Sequence, residues 1–160
     1  MIKLLVLDVD GCLTDGKIIY SSDGIESKHF NVKDGLAITS WIKMGGEVAI
    51  ITGRNSTIVE KRGQELGIQH LFQGVKDKVT LLKELAEKIG VKPFEIAAIG
   101  DDFNDYEMLQ FVGRSFTPND ATKDIQDLVD VTLSRKGGDG AVREMIDMII
   151  EQNDQKEQFL

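Results

Sequence analysis

At 160 residues with 41% apolar content, the chain is about one domain's worth of polypeptide and can bury a real core. Its 27 acidic against 19 basic residues give a net charge of -8, and with no Lys/Arg cluster to offset it this balance argues against nucleic acid or an anionic membrane as a partner. The single cysteine, Cys12, excludes an internal disulfide and reads as a small packed residue; no apolar run approaches the roughly 20 residues that span a bilayer.

Met1 runs directly into a strand-like segment, without the basic region, apolar stretch and cleavage site of a secretory leader, so a cytoplasmic location is expected. In chain order, β-branched runs fall at Ile2 to Val9, Glu47 to Ile51, Ile96 to Ile99 and Val131 to Leu133. Helical periodicity lies between them at Gly35 to Met44, Ser56 to Leu66, Lys78 to Ile89, Asp105 to Phe111 and Ala141 to Ile150. Gly45, Gly67 and Gly90 fit helix ends. The alternation predicts an α/β fold, a parallel sheet flanked by helices on both faces. One departure comes early: Lys17 to Tyr20 and Glu26 to Phe30 surround Ser21-Ser22-Asp23-Gly24, which is hairpin turn chemistry, so a β-hairpin over 16–30 follows the first strand. Residues 1–150 read as one domain and the polar stretch 151–160 as a mobile tail ending in Phe159-Leu160.

In an open parallel sheet, ligands bind at the carboxyl ends of strands, and this chain puts its polar groups there. The first strand ends in Asp8-Val9-Asp10-Gly11, and the strand at Ile96 to Ile99 ends in Gly100-Asp101-Asp102-Phe103-Asn104-Asp105. A lone Asp-x-Asp is commonly a solvated turn, but two acidic turns after successive apolar strands crowd like charges. A hard cation with oxygen ligands compensates such crowding, and Mg2+ is the expected metal. Thr52, in Ile51-Thr52-Gly53-Arg54 at another strand end, has a hydroxyl suited to a phosphate oxygen. Lys78 stands at a predicted helix start, where the helix dipole disfavours a cation unless an anion is near.

In this order the four elements resemble the motifs of the haloacid dehalogenase superfamily, and the resemblance covers nearly the whole chain. It implies a Rossmann-like fold and a phosphatase in which Asp8 attacks phosphorus to form an aspartyl-phosphate. Asp10 would protonate the leaving group and then activate water. Asp8, the backbone carbonyl of Asp10 and Asp101 would hold magnesium, with Asp102 and Asp105 supporting that shell, while Thr52 and Lys78 would bind the phosphoryl oxygens. A receiver domain, which also carries a phosphorylated aspartate, is disfavoured by order: there Thr and Lys follow the acidic residues, whereas Thr52 and Lys78 precede Asp101. A catalytically silent relative acting as a binding module should have lost Asp8 or Asp10, and both are present.

Neither interval between motifs has room for a cap domain. The stretches Asp8 to Gly16, Phe30-Asn31-Val32-Lys33-Asp34-Gly35, Ile51 to Arg54 and Arg135 to Glu144 are similar to the capless phosphatases of 3-deoxy-D-manno-octulosonate 8-phosphate, a family tied to lipopolysaccharide core sugar synthesis. That resemblance implies a homotetramer whose active sites are completed by neighbouring subunits. It assigns Asp10, Asn31, Val32, Lys33, Asp34, Gly35, Thr39, Arg54, Arg62 and Lys78 to contacts with a sugar-acid phosphate. Arginines suit a substrate that has a carboxylate as well as a phosphate. Arg62 also fits a solvated helix face, and Asn31 to Gly35 a simple helix cap. Phosphatases of nine-carbon sialic-type sugar phosphates share most of these motifs, and Arg54 with Arg62 leans toward the eight-carbon acid. The glycine-rich Gly137 to Gly140 stretch could cradle an anion but also fits a structural turn. The family's C-terminal tail can fold over a neighbour's site, which would give Phe159-Leu160 a purpose.

Overall fold

The computed structural model describes residues 1–159. Six parallel strands form one sheet: β1 (Leu4–Leu7), β4 (Glu47–Ile51), β5 (His70–Phe72), β6 (Ile96–Ile99), β7 (Arg114–Thr117) and β8 (Val131–Thr132), in the order β5-β4-β1-β6-β7-β8. A separate antiparallel ribbon pairs β2 (Ile19–Tyr20) with β3 (Glu26–Ser27), the expected hairpin. Every residue of β1 is buried because the strand is covered on both faces. Leu5 and Leu7 face one apolar layer and Leu4 and Val6 the other, as the period of two requires.

The first layer is closed by helices α1 (Val32–Lys43), α2 (Thr57–Leu66) and α6 (Ala141–Gln152), through Ile38, Trp41, Val59, Val142 and Ile146. The second is closed by α3 (Lys78–Ile89), α4 (Tyr106–Phe111) and α5 (Lys123–Leu128), through Leu82, Leu85, Met108, Leu109 and Ile125. Caps set the helix starts. The carboxamide of Asn31 accepts from the Lys33 amide at 2.8 Å, and the Ser56 hydroxyl accepts from Ile58 at 3.1 Å. Because β1 has β4 on one side and β6 on the other, the switch point of the sheet lies at its carboxyl end.

One expectation needs correction. The tail does not hang free: Asn153 exchanges hydrogen bonds with the Ile2 backbone (3.0 and 3.1 Å), and α7 (Lys156–Phe159) brings Phe159 against the first core layer. Residues 151–159 therefore pack on their own chain at the amino-terminal edge of the sheet, opposite the strand ends that carry the motifs; Leu160 lies outside the described residues. The glycine-rich stretch is likewise structural. The Gly138 amide donates to the Cys12 carbonyl at 3.1 Å, and a Cβ on Gly137 would overlap the Gly11 carbonyl.

Gly137→Ala is therefore expected to force the loop after Asp8 out of place, costing about 1–3 kcal/mol as overpacking. A melt that leaves the midpoint within about 1 °C of wild type, where 1 kcal/mol corresponds to about 2–4 °C, would contradict this packing.

Candidate active site

After Leu7 the chain enters a wide turn, Val9–Leu13, in which Asp10 (φ -70°, ψ 118°) and Gly11 (φ 91°) leave helical angles. Asp8 sits at its start, 4% exposed, with Oδ1 accepting from the Val9 amide at 2.8 Å. Gly11 is required twice over: its φ lies in the left-handed region, and a side chain there would overlap the Asp101 carboxylate. The turn brings Asp101, which follows β6, beside Asp8, and one oxygen of each lies within 4.8 Å of the other and of the Cys12 sulfur.

Lys78 opens α3 and is buried with its charge. Its Nζ donates to Asp8 Oδ1 at 3.1 Å and to Asp105 Oδ1 at 2.6 Å, while Asp105 Oδ2 accepts from the Asp101 amide at 3.0 Å. The anion expected at this helix start is thus a pair of buried carboxylates. Burial works against the Lys78 charge, but Asp8 and Asp105 outweigh it and raise its pKa. Burial, then the Asp105 charge, pushes Asp8 well above the usual carboxylate range; the same two causes lift Asp101 to about 6. One ammonium does not satisfy three carboxylates.

This surplus of negative charge fits a divalent cation. Oxygen ligands suit magnesium, whereas burial, followed by the Asp8 charge, pushes the Cys12 thiol up and keeps it protonated. A hard cation between Asp8 and Asp101 would take their oxygens ahead of the Cys12 sulfur.

The open cleft above Asp8 has a volume of about 250 Å³ and is lined by Asp10, Thr52, Arg54, Asp101, Asp102 and Asn104. The Asp102 Oδ1 accepts from the Phe103 amide at 2.7 Å, at the start of the short turn that leads into α4. The Asp10 carboxylate reaches the hairpin, where Lys28 Nζ donates to its Oδ1 at 2.7 Å. Glu26 bridges Lys28 and Arg54, each at 3.2 Å. Lys28 was not anticipated; the signal was the Glu26-x-Lys28 spacing, which puts both side chains on one strand face.

The other expected substrate contacts lie apart from this cleft within the chain. Phe30, Asn31, Asp34, Gly35 and Arg62 surround a separate cavity of about 10 Å³, room for one water. Arg62 stacks over the Phe30 ring at 5.6 Å and pairs with Glu65 at 3.4 Å. Asp34 is buried, with Oδ1 accepting from the Arg143 amide at 2.9 Å so that it caps α6, and with Oδ2 unpartnered. Val32 and Lys33 are exposed on the first turn of α1, and the Thr39 hydroxyl donates to the Leu36 carbonyl at 3.0 Å.

The arrangement can be set beside known proteins. A haloacid dehalogenase-like hydrolase profile matches residues 70–146. The 3-deoxy-D-manno-octulosonate 8-phosphate phosphatase KdsC of Escherichia coli K12 is 42% identical over 93% of this chain and 79% of its own length. The chain belongs to this family of haloacid dehalogenase-like phosphatases. The phosphatase of Moraxella catarrhalis, crystallised with magnesium, phosphate and KDO, superposes with a TM-score of 0.93 at 41% identity, covering 98% of this chain and 90% of that one. The cobalt-bound phosphatase of Haemophilus influenzae superposes with a TM-score of 0.91 at 39% identity, covering 98% and 91%. Membership in this family accounts for the small size of the hairpin, since no cap domain is inserted between its motifs.

Two measurements test the electrostatics. Magnesium should raise the melting midpoint, by an amount equivalent to about 2.7 kcal/mol at a hundredfold excess over its dissociation constant. The gain should shrink as pH falls below about 6, where Asp101 takes up a proton, and vanish in Asp101→Asn. Separately, burial raises Asp34 from 3.8 to about 6. Its folded-state pKa thus exceeds the unfolded one, so its contribution to stability is complete below about pH 4 and is lost as pH rises through 6. Denaturant titrations should show Asp34→Asn with a flatter stability profile than wild type across that interval; parallel profiles would refute the assignment.

Proposed function

We propose that this chain hydrolyses 3-deoxy-D-manno-octulosonate 8-phosphate to the free sugar acid and phosphate, with magnesium as cofactor, in the supply of lipopolysaccharide core sugar. The observation that carries the reading is the site itself: Asp8 fixed at the carboxyl end of β1 beside Lys78, Thr52, Asp10 and Asp101. The family membership supports it, since the relatives named above are phosphatases of this substrate.

In the first half-reaction an Asp8 carboxylate oxygen forms a bond to phosphorus as the ester oxygen leaves, and Asp10 gives that oxygen its proton. In the second, Asp10, now a carboxylate, takes a proton from water, the water oxygen bonds to phosphorus, and Asp8 is released. Lys78 neutralises charge beside Asp8, and Thr52 offers a hydroxyl to a phosphoryl oxygen. Magnesium, held by Asp8, the Asp10 backbone carbonyl and Asp101, supplies further positive charge at that position. Asp105 supports this group through Lys78 and the Asp101 amide, and Asp102 supports it from the lining of the same cleft.

The separation of Arg62 and Asn31 to Gly35 from the cleft is accounted for by assembly. In a homotetramer these residues of one subunit would complete the site of another. Ile18, Tyr20 and Ile25 on the hairpin, with Val32 and Leu36 on α1, expose apolar surface of the kind an interface covers. Among the described residues no helix is long and apolar enough to cross a membrane, which fits action on a small sugar phosphate in the cytoplasm.

Phosphate release with magnesium should be faster, as kcat/KM, from the eight-carbon acid than from any other sugar phosphate in a panel including a nine-carbon sialic-type acid. EDTA should abolish release, and Asp8→Asn should lose at least about 10³-fold, since its amide is not a nucleophile. Full activity in Asp8→Asn sinks the mechanism; preference for another phosphate sinks the substrate.

A further inference from the structure

The general acid of this reaction is held by the hairpin, and the residue that holds it is Lys28. Asp10 lies where the wide turn after β1 departs from helical angles, and its carboxylate remains 21% exposed. Neither neighbouring strand anchors it. Its Oδ1 accepts from Lys28 Nζ at 2.7 Å, while Oδ2 has only Arg54 Nε at 3.9 Å, beyond hydrogen-bond reach. One oxygen is therefore committed and the other faces the cleft.

Lys28 is built for this position. Its side chain is 1% exposed although it belongs to a hairpin whose turn is in solvent, and its two partners are Asp10 and Glu26. A desolvated ammonium at a protein edge is costly unless paired, so the ion pair fixes both groups. Glu26 in turn accepts from Arg54 at 3.2 Å, so the chain Asp10–Lys28–Glu26–Arg54 has one geometry from the hairpin to the end of β4.

We infer that Lys28 is a positioning residue that orients the Asp10 carboxyl so that Oδ2, not Oδ1, exchanges the proton with the leaving group. The inference rests on the assignment of Asp10 as acid in the proposed function. In the first half-reaction the Asp8–phosphorus bond forms, the phosphorus–ester bond breaks, and the proton on Oδ2 passes to the departing oxygen, leaving Asp10 as carboxylate. Lys28 touches none of the reacting atoms. The alternative is that it is a staple pinning the hairpin, in which case its loss slows every substrate alike.

Leaving-group chemistry separates the two. An alkoxide needs a proton on departure, whereas p-nitrophenolate leaves without one. With enzyme in excess, so that only the first half-reaction is read, Lys28→Met should release the sugar acid from 3-deoxy-D-manno-octulosonate 8-phosphate at least about 10-fold more slowly, part of the about 10²–10⁴-fold that general acid catalysis contributes. Release of p-nitrophenolate from p-nitrophenyl phosphate should stay within about twofold, and Lys28→Arg, which keeps the cation, should recover most of the loss. Equal slowing of both substrates, or no slowing of the sugar phosphate, overturns the inference. If Lys28→Met does not fold, Lys28→Gln carries the same comparison with a neutral amide. Asp10→Asn is run in parallel: if it spares the sugar phosphate, the assignment of the acid falls and this inference with it. If Asp10→Asn is slow and Lys28→Met is not, only the role of Lys28 falls.

Discussion

The contact on which the site depends is the buried ammonium of Lys78 between Asp8 and Asp105. Three carboxylates gathered beneath the ends of β1 and β6 would repel one another in a medium that screens poorly. The lysine lets Asp8 and Asp105 stand side by side, and Asp105 then holds the backbone of Asp101 through its second oxygen. The cation thus sets the spacing of two residues it does not both touch. It leaves negative charge to spare at Asp8 and Asp101, and that excess gives a divalent ion a reason to bind there. A more fully neutralised site would be more stable alone and a poorer host for metal.

Around this centre the backbone is locked by close approaches that only glycine permits. Gly11 admits the Asp101 carboxylate, and Gly137 admits the Gly11 carbonyl, so the loop before α6 buttresses the loop that follows Asp8. Hydrogen bonding repeats the connection, with the Gly138 amide on the Cys12 carbonyl. The buried Cys12 is part of the same wedge. Its thiol, pushed up by burial, packs beside the carboxylates and adds no charge to them. Stability and chemistry share the same few backbone contacts.

How much of this was legible in the sequence follows from burial. Strands β1, β4 and β6 sit at the centre of the sheet and are written as apolar runs; β4 and β6 have the expected boundaries. Strands β5 and β7 were missed because His70 in one and Arg114, Ser115 and Thr117 in the other break the apolar pattern. Two of these residues are satisfied sideways, His70 on Glu47 and the Ser115 amide and hydroxyl on Asp130, while Arg114 lies over the Phe116 ring with its Nε unpartnered. Helix α5 buries only Ile125, too little for a periodic signal. Motif residues were legible because each follows a central strand or opens a helix. Lys28 was not, since a lone lysine just past a two-residue strand offers only its spacing from Glu26 until the fold brings Asp10 to it. Asp34 illustrates the reverse: its motif is plain, but only the structure shows its carboxylate turned inward as the cap of α6.

In a chain with net charge -8, the hairpin is held to the cleft by a set of ion pairs that balance one another. A ribbon of two-residue strands is too small to make a core of its own, so it cannot act as a cap in the sense of an independent domain. What holds it is the ion-pair chain Asp10–Lys28–Glu26–Arg54, which points inward, while Ile18, Tyr20 and Ile25 remain exposed. Tyr20 lies opposite Glu26 in the ribbon and shares its face, beside the ion-pair chain, and its exposed ring, with Ile18 and Ile25, is left needing apolar cover. Burying that apolar surface against another subunit would also shield the ion pairs beside it from water, strengthening each charge contact in the cleft. In such a design assembly and electrostatics are not separate properties: an isolated subunit would lack the residues a neighbour adds and would hold Asp10 and Arg54 in a wetter, more strongly screened mouth.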